Sequence, residues 1–338
     1  MEKVRYAVVG LRHGREHVEA IMNDPRAELV MCCDLEEERF RSLELPSGVD
    51  FTTDMQQIAI RADLDAVVIS LPTHLHTDSS VMMLSSGKHV LCEKPLAPTL
   101  EEGLRIKEAV EKSGKIFQLG YEVRYSPFHQ KILEICRNGS IGTVTNVWWN
   151  MFCNVQNRGW RLDRKKRGGK LFDCGCHYYN LLENWAGAPA KRICAFGNLL
   201  GKTGPTADQI PESATIMFEY ENGVRGVFTF SEKCPNLQNS TCGVAGTGGK
   251  IEADPYYPDE CGSMDIHANG GQFQYHIDIK NTGPLKALHL GFREQHTAFM
   301  DSILHGKEVY VDVNDGLRVI RILDAIDESL TTGQVVTL

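Results

Sequence analysis

Gly87-Lys-His-Val-Leu-Cys-Glu-Lys-Pro-Leu-Ala97 opens on a turn glycine, runs through four residues that favour a buried strand (His89 to Cys92), and ends with a charged pair against a proline. In an open parallel sheet, ligands gather beyond the carboxyl ends of the strands. Glu93 and Lys94 fall at such an end. Pro95 restricts Lys94 to an extended backbone and gives the Lys94–Pro95 bond an unusual chance of being cis. A long amine on a stiffened backbone can be aimed at a ligand; the plainer alternative is a solvated strand-end lysine.

The flanking chain supplies the context. Val4 to Gly10 reads as a buried parallel strand with a helix after it from Glu16 to Asn23. Glu28 to Asp34 is a second strand, followed by a helix at Leu35 to Leu43. Ala66 to Leu71 is a third, running into Pro72-Thr73-His74-Leu75-His76 and a helix from Thr77 to Ser86. After the strand quoted above, Thr99-Leu-Glu-Glu102 is a capping box that starts a helix ending near Ser113-Gly114. Lys115 to Gly120 is the fifth strand. Such alternation predicts an α/β domain with a doubly wound parallel sheet.

Between the first strand and helix lies Gly10-Leu-Arg-His-Gly14-Arg-Glu-His17. Glycine at this turn lets backbone N–H groups approach a pyrophosphate at the helix N-terminus. Gly10, Arg12, His13 and Gly14 are therefore expected around a dinucleotide, although Arg12 stands where the full glycine pattern wants a second glycine. Asp34 follows Gly10 by about the ~20 residues at which a carboxylate grips the adenosine ribose. A carboxylate there repels the 2′-phosphate of NADP, so NAD is expected and NADP disfavoured. Asp34 as a helix cap is the alternative, and the two roles are compatible.

At 338 residues the chain exceeds what one core usually serves. Two domains are expected, residues 1–122 binding the dinucleotide and residues 123–338 binding substrate. A net charge of −8 offers no basic surface for nucleic acid. No apolar run approaches the ~18 residues of a membrane span. A strand pattern begins within three residues of Met1, leaving no room for a signal peptide. Eleven cysteines form an odd number without disulfide or zinc spacing, which fits reduced thiols. The expected location is the cytoplasm.

Beyond Pro127, a helix from Phe128 to Asn138 gives way to strand-like segments. These are Thr143 to Phe152, Arg192 to Leu199, Ser213 to Tyr220, Val224 to Ser231, Leu237 to Ala245, Gly262 to His267 and Gln272 to Ile279. Glu221-Asn-Gly223 between two of them is a strong hairpin signal. The pattern predicts an α+β domain with a large, mostly antiparallel sheet, one face on helices and one free for a partner. Gly246-Thr-Gly-Gly-Lys250 lacks the Ser or Thr of a phosphate loop and reads as a turn between strands. Helices are expected from Phe292 to Leu304 and from Val313 to Leu330.

The chemistry of this half lies at Gly168-Gly-Lys-Leu-Phe-Asp173-Cys-Gly-Cys-His177-Tyr-Tyr-Asn180. Four residues apart, Asp173 and His177 share a face if helical. A carboxylate beside an imidazole fixes its tautomer and raises its basicity, which suits proton transfer near neutral pH. Just upstream, Arg161 to Lys170 carries six cations in ten residues. This run is either a loop facing solvent or a neighbouring subunit, or a contact for an anionic substrate.

The glycine turn, Pro72-Thr-His-Leu-His76, the Glu93-Lys-Pro95 stretch and Gly120-Tyr-Glu-Val-Arg124-Tyr-Ser-Pro127 together resemble the glucose–fructose oxidoreductase/inositol dehydrogenase (Gfo/Idh/MocA) family. The resemblance covers almost the whole chain, with Thr73 where the family often has Asn. It implies an NAD-dependent dehydrogenase acting on a secondary hydroxyl of a sugar or cyclic polyol. Lys94, Asp173 and His177 match its catalytic lysine, aspartate and histidine. Leu71, Pro72, Thr73 and His76 would join the cofactor site, as would Glu93, Lys94 and Arg124. Tyr121, Arg124, Trp160 and Arg161 would flank the substrate beside Lys94, Asp173 and His177; core packing is the alternative for Trp160. The resemblance further implies dimers or tetramers through the open sheet. Two other readings stand beside it: redox-assisted glycoside cleavage with retained NAD, which the same residues would serve, and a non-catalytic regulator that binds NAD and a sugar, against which the retained Lys94, Asp173 and His177 argue.

Overall fold

The computed structural model describes residues 3–154, 157–198, 210–234, 239–255, 261–280 and 291–338. The chain forms two compact units, one of Met1–Glu122 with Phe292–Ile320 and one of Val123–Gly291 with Arg321–Leu338.

The first unit runs β1 (Val4–Val9), α1 (Leu11–Met22), β2 (Ala27–Cys33), α2 (Glu37–Arg41), β3 (Asp50–Thr52), α3 (Met55–Ile60), β4 (Ala66–Ile69), α4 (His76–Ser85), β5 (His89–Glu93), α5 (Leu100–Ser113) and β6 (Phe117–Gly120). Its six strands are parallel, in the order β3-β2-β1-β4-β5-β6, so the chain starts mid-sheet and winds outward both ways. Apolar runs decide this: Val8, Val68 and Leu91 are fully buried, each stabilising the fold by roughly 1.5–3 kcal/mol over an exposed side chain. The sequence reading found five of these strands; β3, only three residues long, carries no apolar run of its own.

Residues 292–320, assigned to the second domain from sequence, pack on this first unit. Phe299 and Met300 join the core around Tyr6 and Val8. Gln118 donates its side-chain amide to the Gln295 carbonyl at 2.9 Å, and the Leu119 N–H donates to the Val311 carbonyl at 3.0 Å.

The second unit begins within the short helix α6 (Glu122–Tyr125). It continues with α7 (Pro127–Arg137), β7 (Val144–Phe152), α8 (Lys170–Asp173), α9 (Gly175–Ala186), β8 (Ala190–Asn198), β9 (Ser213–Tyr220), β10 (Arg225–Ser231), β11 (Asn239–Gly246), β12 (Gly249–Asp254), β13 (Cys261–Ala268) and β14 (Phe273–Lys280). Helices α10 (Phe292–His305) and α11 (Val313–Thr332) follow, and β15 (Val336–Thr337) ends the chain. The sheet order is β14-β13-β12-β11-β7-β10-β9-β8-β15, antiparallel throughout except for the β7–β10 pair. Leu199, Leu237 and Gln238, expected in strands, lie outside the described residues.

One face of this sheet carries Trp149, Phe218, Phe228 and Phe230, all buried. Helix α9 lies on it: Trp149 stacks on Tyr178 with ring centroids 4.2 Å apart, and Tyr178 stacks on Phe228 at 6.0 Å. On the other face, strand register sets Cys194, Met217, Val227 and Trp148 in one row across β8, β9, β10 and β7. Met217 and Val227 are exposed there, as is Phe196 further along β8.

Candidate functional site

In the first unit, the chain leaves β1 at Gly10, whose φ of 87° is a conformation open to glycine. Its N–H donates to the Cys33 carbonyl at 2.8 Å, and a Cβ there would lie 2.3 Å from the Ser70 carbonyl oxygen. Helix α1 begins at once, at Leu11, five residues earlier than the sequence reading placed it. Arg12 and His13 are therefore exposed residues of its first turn, and Gly14 lies within it. A Cβ on Gly14 would come within 3.0 Å of Val8 Cγ1, so this glycine lets the helix lie close on the strand. By residue type alone Gly14 belongs to the turn; in the fold it is a helix residue.

Asp34, at the end of β2, is buried. One of its carboxylate oxygens accepts the Leu11 N–H at 2.6 Å, and the other accepts the Glu36 N–H at 2.9 Å. Arg39 pairs with it at 3.2 Å. The residues here fit a dinucleotide. The first N–H groups of a helix lack intrahelical partners, no side chain projects from Gly10 or Gly14, and the buried hydroxyls of Ser70 and Thr73 have no hydrogen-bond partner among the described residues.

His76 is buried between the β4 and β5 ends, Nδ1 lying 2.8 Å from the Pro95 carbonyl and Nε2 2.8 Å from that of Leu71. Burial pulls this imidazole below its ordinary pKa, against the pull of both carbonyls. Its ring thereby ties Leu71 and Pro72 to the turn that carries Lys94. Lys94 is half-buried and its bond to Pro95 is cis. Glu93, expected at the cofactor, points inward with its side chain 5% exposed and pairs with His17 at 3.0 Å. Tyr121 is buried beyond the end of β6.

In the second unit, Asp173 closes α8 and His177 lies in the first turn of α9; both are buried. The two helices break at Cys174, so the pair does not share one continuous helix as the spacing suggested. Tyr179 donates its hydroxyl to the Leu171 carbonyl at 2.9 Å and fixes the break. Arg161 Nε donates to the Asp173 carboxylate at 2.8 Å, while its guanidinium sits 4.6 Å above the Trp160 ring. Arg124 contacts the Asn180 side-chain oxygen at 3.4 Å. Other cations of the basic run have partners in the same unit: Arg164 with Asp327 at 2.6 Å, Arg167 with Asp324, and Lys166 with Asp163 at 3.6 Å.

Residues 4–121 match the family model for an oxidoreductase NAD-binding Rossmann fold, and residues 134–338 match that family's C-terminal alpha/beta domain. The chain belongs to the Gfo/Idh/MocA oxidoreductase family. It is 28% identical over 254 residues to scyllo-inositol 2-dehydrogenase (NAD(+)) of Bacillus subtilis, covering 74% of this chain and 73% of that one. It is 24% identical over 347 residues to myo-inositol 2-dehydrogenase of Thermotoga maritima, covering 99% and 98%. In fold it is similar to levoglucosan dehydrogenase solved with NADH and levoglucosan, at a TM-score of 0.86 and 20% identity, covering 100% and 99%. This Gfo/Idh/MocA protein thus has an NAD-binding Rossmann domain. Among its described residues no helix is long and apolar enough to cross a membrane, and no group of three or more His, Cys, Asp or Glu could hold a metal ion.

The sequence reading assigned no role to His17, His296, Ser70 or Arg39. His17 stood within the quoted glycine turn, but its partner His296 is 279 residues away and no local pattern links them.

Proposed function

We propose that the protein oxidises a secondary hydroxyl of a sugar or cyclic polyol, with NAD preferred over NADP. Bound NAD would supply the hydride acceptor. Gly10, the α1 N-terminus, Ser70 and Thr73 would hold its phosphates and nearby groups, and Asp34 its adenosine ribose. A carboxylate already accepting two backbone N–H groups stays an acceptor, which suits ribose hydroxyls and opposes a 2′-phosphate. On the substrate side, His177 takes the hydroxyl proton, Asp173 orients it, and Lys94 orients the hydroxyl and eases the proton's departure.

The observation that carries this reading is the buried Asp173, anchored by Arg161 one turn before a buried His177, in a chain with an NAD-binding domain. A carboxylate held by a charge-assisted hydrogen bond from a guanidinium keeps its direction, as a residue that must orient an imidazole requires. Relatives named as inositol dehydrogenases support the substrate class. The exposed row of Met217 and Val227 would meet a second copy of the chain, and free thiols fit a reducing cytoplasm.

The test is incubation of the protein with NAD and a panel of sugars, inositols and glycosides, following NADH and identifying products by mass. Lys94→Ala and His177→Ala should each lower kcat by roughly 10²–10⁴-fold while NAD affinity holds. Wild-type turnover in either variant refutes the assignment. Release of a leaving group without NADH would mean glycoside cleavage instead, and binding without turnover would mean a sensor.

A further inference from the structure

Three buried groups of the first unit take no part in the chemistry above. Glu93 Oε1 lies 3.0 Å from His17 Nε2, and His17 Nδ1 lies 2.9 Å from His296 Nε2. They come from the end of β5, from α1 and from α10. The row is walled off from water: Phe292 packs its ring edge against His17 at 5.2 Å, and Tyr6 does so against His296 at 6.1 Å. Gly120 leaves room for the carboxylate, since a Cβ there would lie 2.7 Å from Glu93 Oε1. The other carboxylate oxygen accepts the backbone N–H of Lys94 at 3.3 Å.

The direction of these hydrogen bonds follows from the groups present. Burial alone would raise the Glu93 carboxyl; the hydrogen bond from His17 is the largest of the influences that outweigh it and hold it well below the usual carboxylate range. An ionised carboxylate only accepts, so His17 carries a hydrogen on Nε2. A second hydrogen on His17 Nδ1 would force His296 to accept on Nε2 and carry its own hydrogen on Nδ1. That atom is buried without a partner among the described residues, and a buried orphan N–H is rarer than a buried orphan lone pair. His296 Nε2–H therefore donates to His17 Nδ1, and His17 Nε2–H donates to Glu93.

We propose that His296 and His17 are positioning residues for Lys94. His296 locks His17 in its Nε2–H tautomer, and His17 locks the Glu93 carboxylate. Glu93 in turn holds the Lys94 backbone N–H and sets a fixed negative charge on the residue next to it in the chain. The catalytic consequence rests on the role proposed for Lys94; the tautomer and the charge do not.

The experiment uses the full chain with ¹⁵N-labelled histidine and ¹³C-labelled lysine, read by NMR. Wild-type His17 should show the neutral Nε2–H pattern. Glu93→Gln should lower the Lys94 titration, because it removes the neighbouring negative charge. His296→Leu should scramble the His17 tautomer and lower kcat by about tenfold, typical of an outer-shell orienting partner, leaving KM for NAD unchanged. His296→Gln, whose amide can still donate, should restore the tautomer and most of the lost turnover. A charged or Nδ1–H His17 in the wild type overturns the proposal and needs no variant to fold. So does a Lys94 titration indifferent to Glu93→Gln, or equal turnover in the Leu and Gln variants. If no panel substrate reacts, the proposed function fails, while the two NMR readings still decide this inference.

Discussion

Replacing Gly10 by alanine tests the geometry of the turn on which the nucleotide domain is built. Two costs add. Gly10 has φ 87° and ψ 101°, a region that an L side chain enters at about 1–3 kcal/mol. The new Cβ would also lie 2.3 Å from the Ser70 carbonyl oxygen and 2.9 Å from its carbon. Both are backbone atoms in the loop after β4, so the strain of overpacking adds about 1–3 kcal/mol. The sum is about 4 kcal/mol. Gly114→Ala is the control: its φ of 62° also favours glycine, but nothing lies within 4 Å of its Cβ, so only about 1 kcal/mol is expected. With a urea dependence of about 3 kcal/mol per molar, the midpoints should fall by about 1.3 M and about 0.3 M. All four tryptophans (Trp148, Trp149, Trp160 and Trp185) lie in the second unit. Circular dichroism should therefore record the early loss while tryptophan fluorescence lags, and calorimetry should show weakened NAD binding. Equal shifts in the two variants would mean that the Ser70 contact carries no strain, and the reasoning fails.

Asp34→Ala should narrow the affinity gap between NAD and NADP and strand the buried Leu11 N–H, at about 1–3 kcal/mol of stability; calorimetry with both nucleotides and urea unfolding check the two effects, and an unchanged ratio removes Asp34 from this role. Burial, with Lys115 behind it, lowers His89 to about 4, and its Nδ1 accepts the Ile116 N–H at 3.0 Å. The unfolded chain takes up this proton first, near pH ~6.5, so stability should fall as pH drops from there to about 4 and then level off. His89→Gln should flatten that part of the pH–stability curve; an unaltered slope would exonerate His89. Arg161→Ala should lower kcat more than it raises KM, because it releases Asp173; a pure KM effect would make Arg161 a substrate contact instead. Since cations of the basic run are paired within the chain, KM should change less than about twofold between low and high salt. A steep dependence would restore the reading of an anionic substrate.

The elements legible in the sequence are those whose cause is local. The runs at Val4–Val9, apolar but for Arg5, and at Ala66–Ile69 are short, rich in valine and read as buried strands. Thr99 caps its helix as the capping box requires, accepting the Glu102 N–H at 3.2 Å. Asn222 and Gly223 join β9 to β10, as Asn-Gly in a hairpin should. Gly10, Asp34, Lys94, Asp173 and His177 were legible as candidates because their residue type and offset from a strand or turn suggest their chemistry. What lay beyond reach depended on partners remote in the chain. The start of α1 turned on whether Gly14 met Val8 or solvent, and the place of residues 292–320 on whether Phe299 reached Tyr6. The loads on Arg164 and Arg167 were set by carboxylates 163 and 157 residues away. Composition and periodicity fix which segments become helix or strand, since those depend on neighbours within a few residues. Which side chain each charged or hydrogen-bonding group finally meets depends on how those segments pack, so only the folded chain could bring His296, His17 and Glu93 into one row.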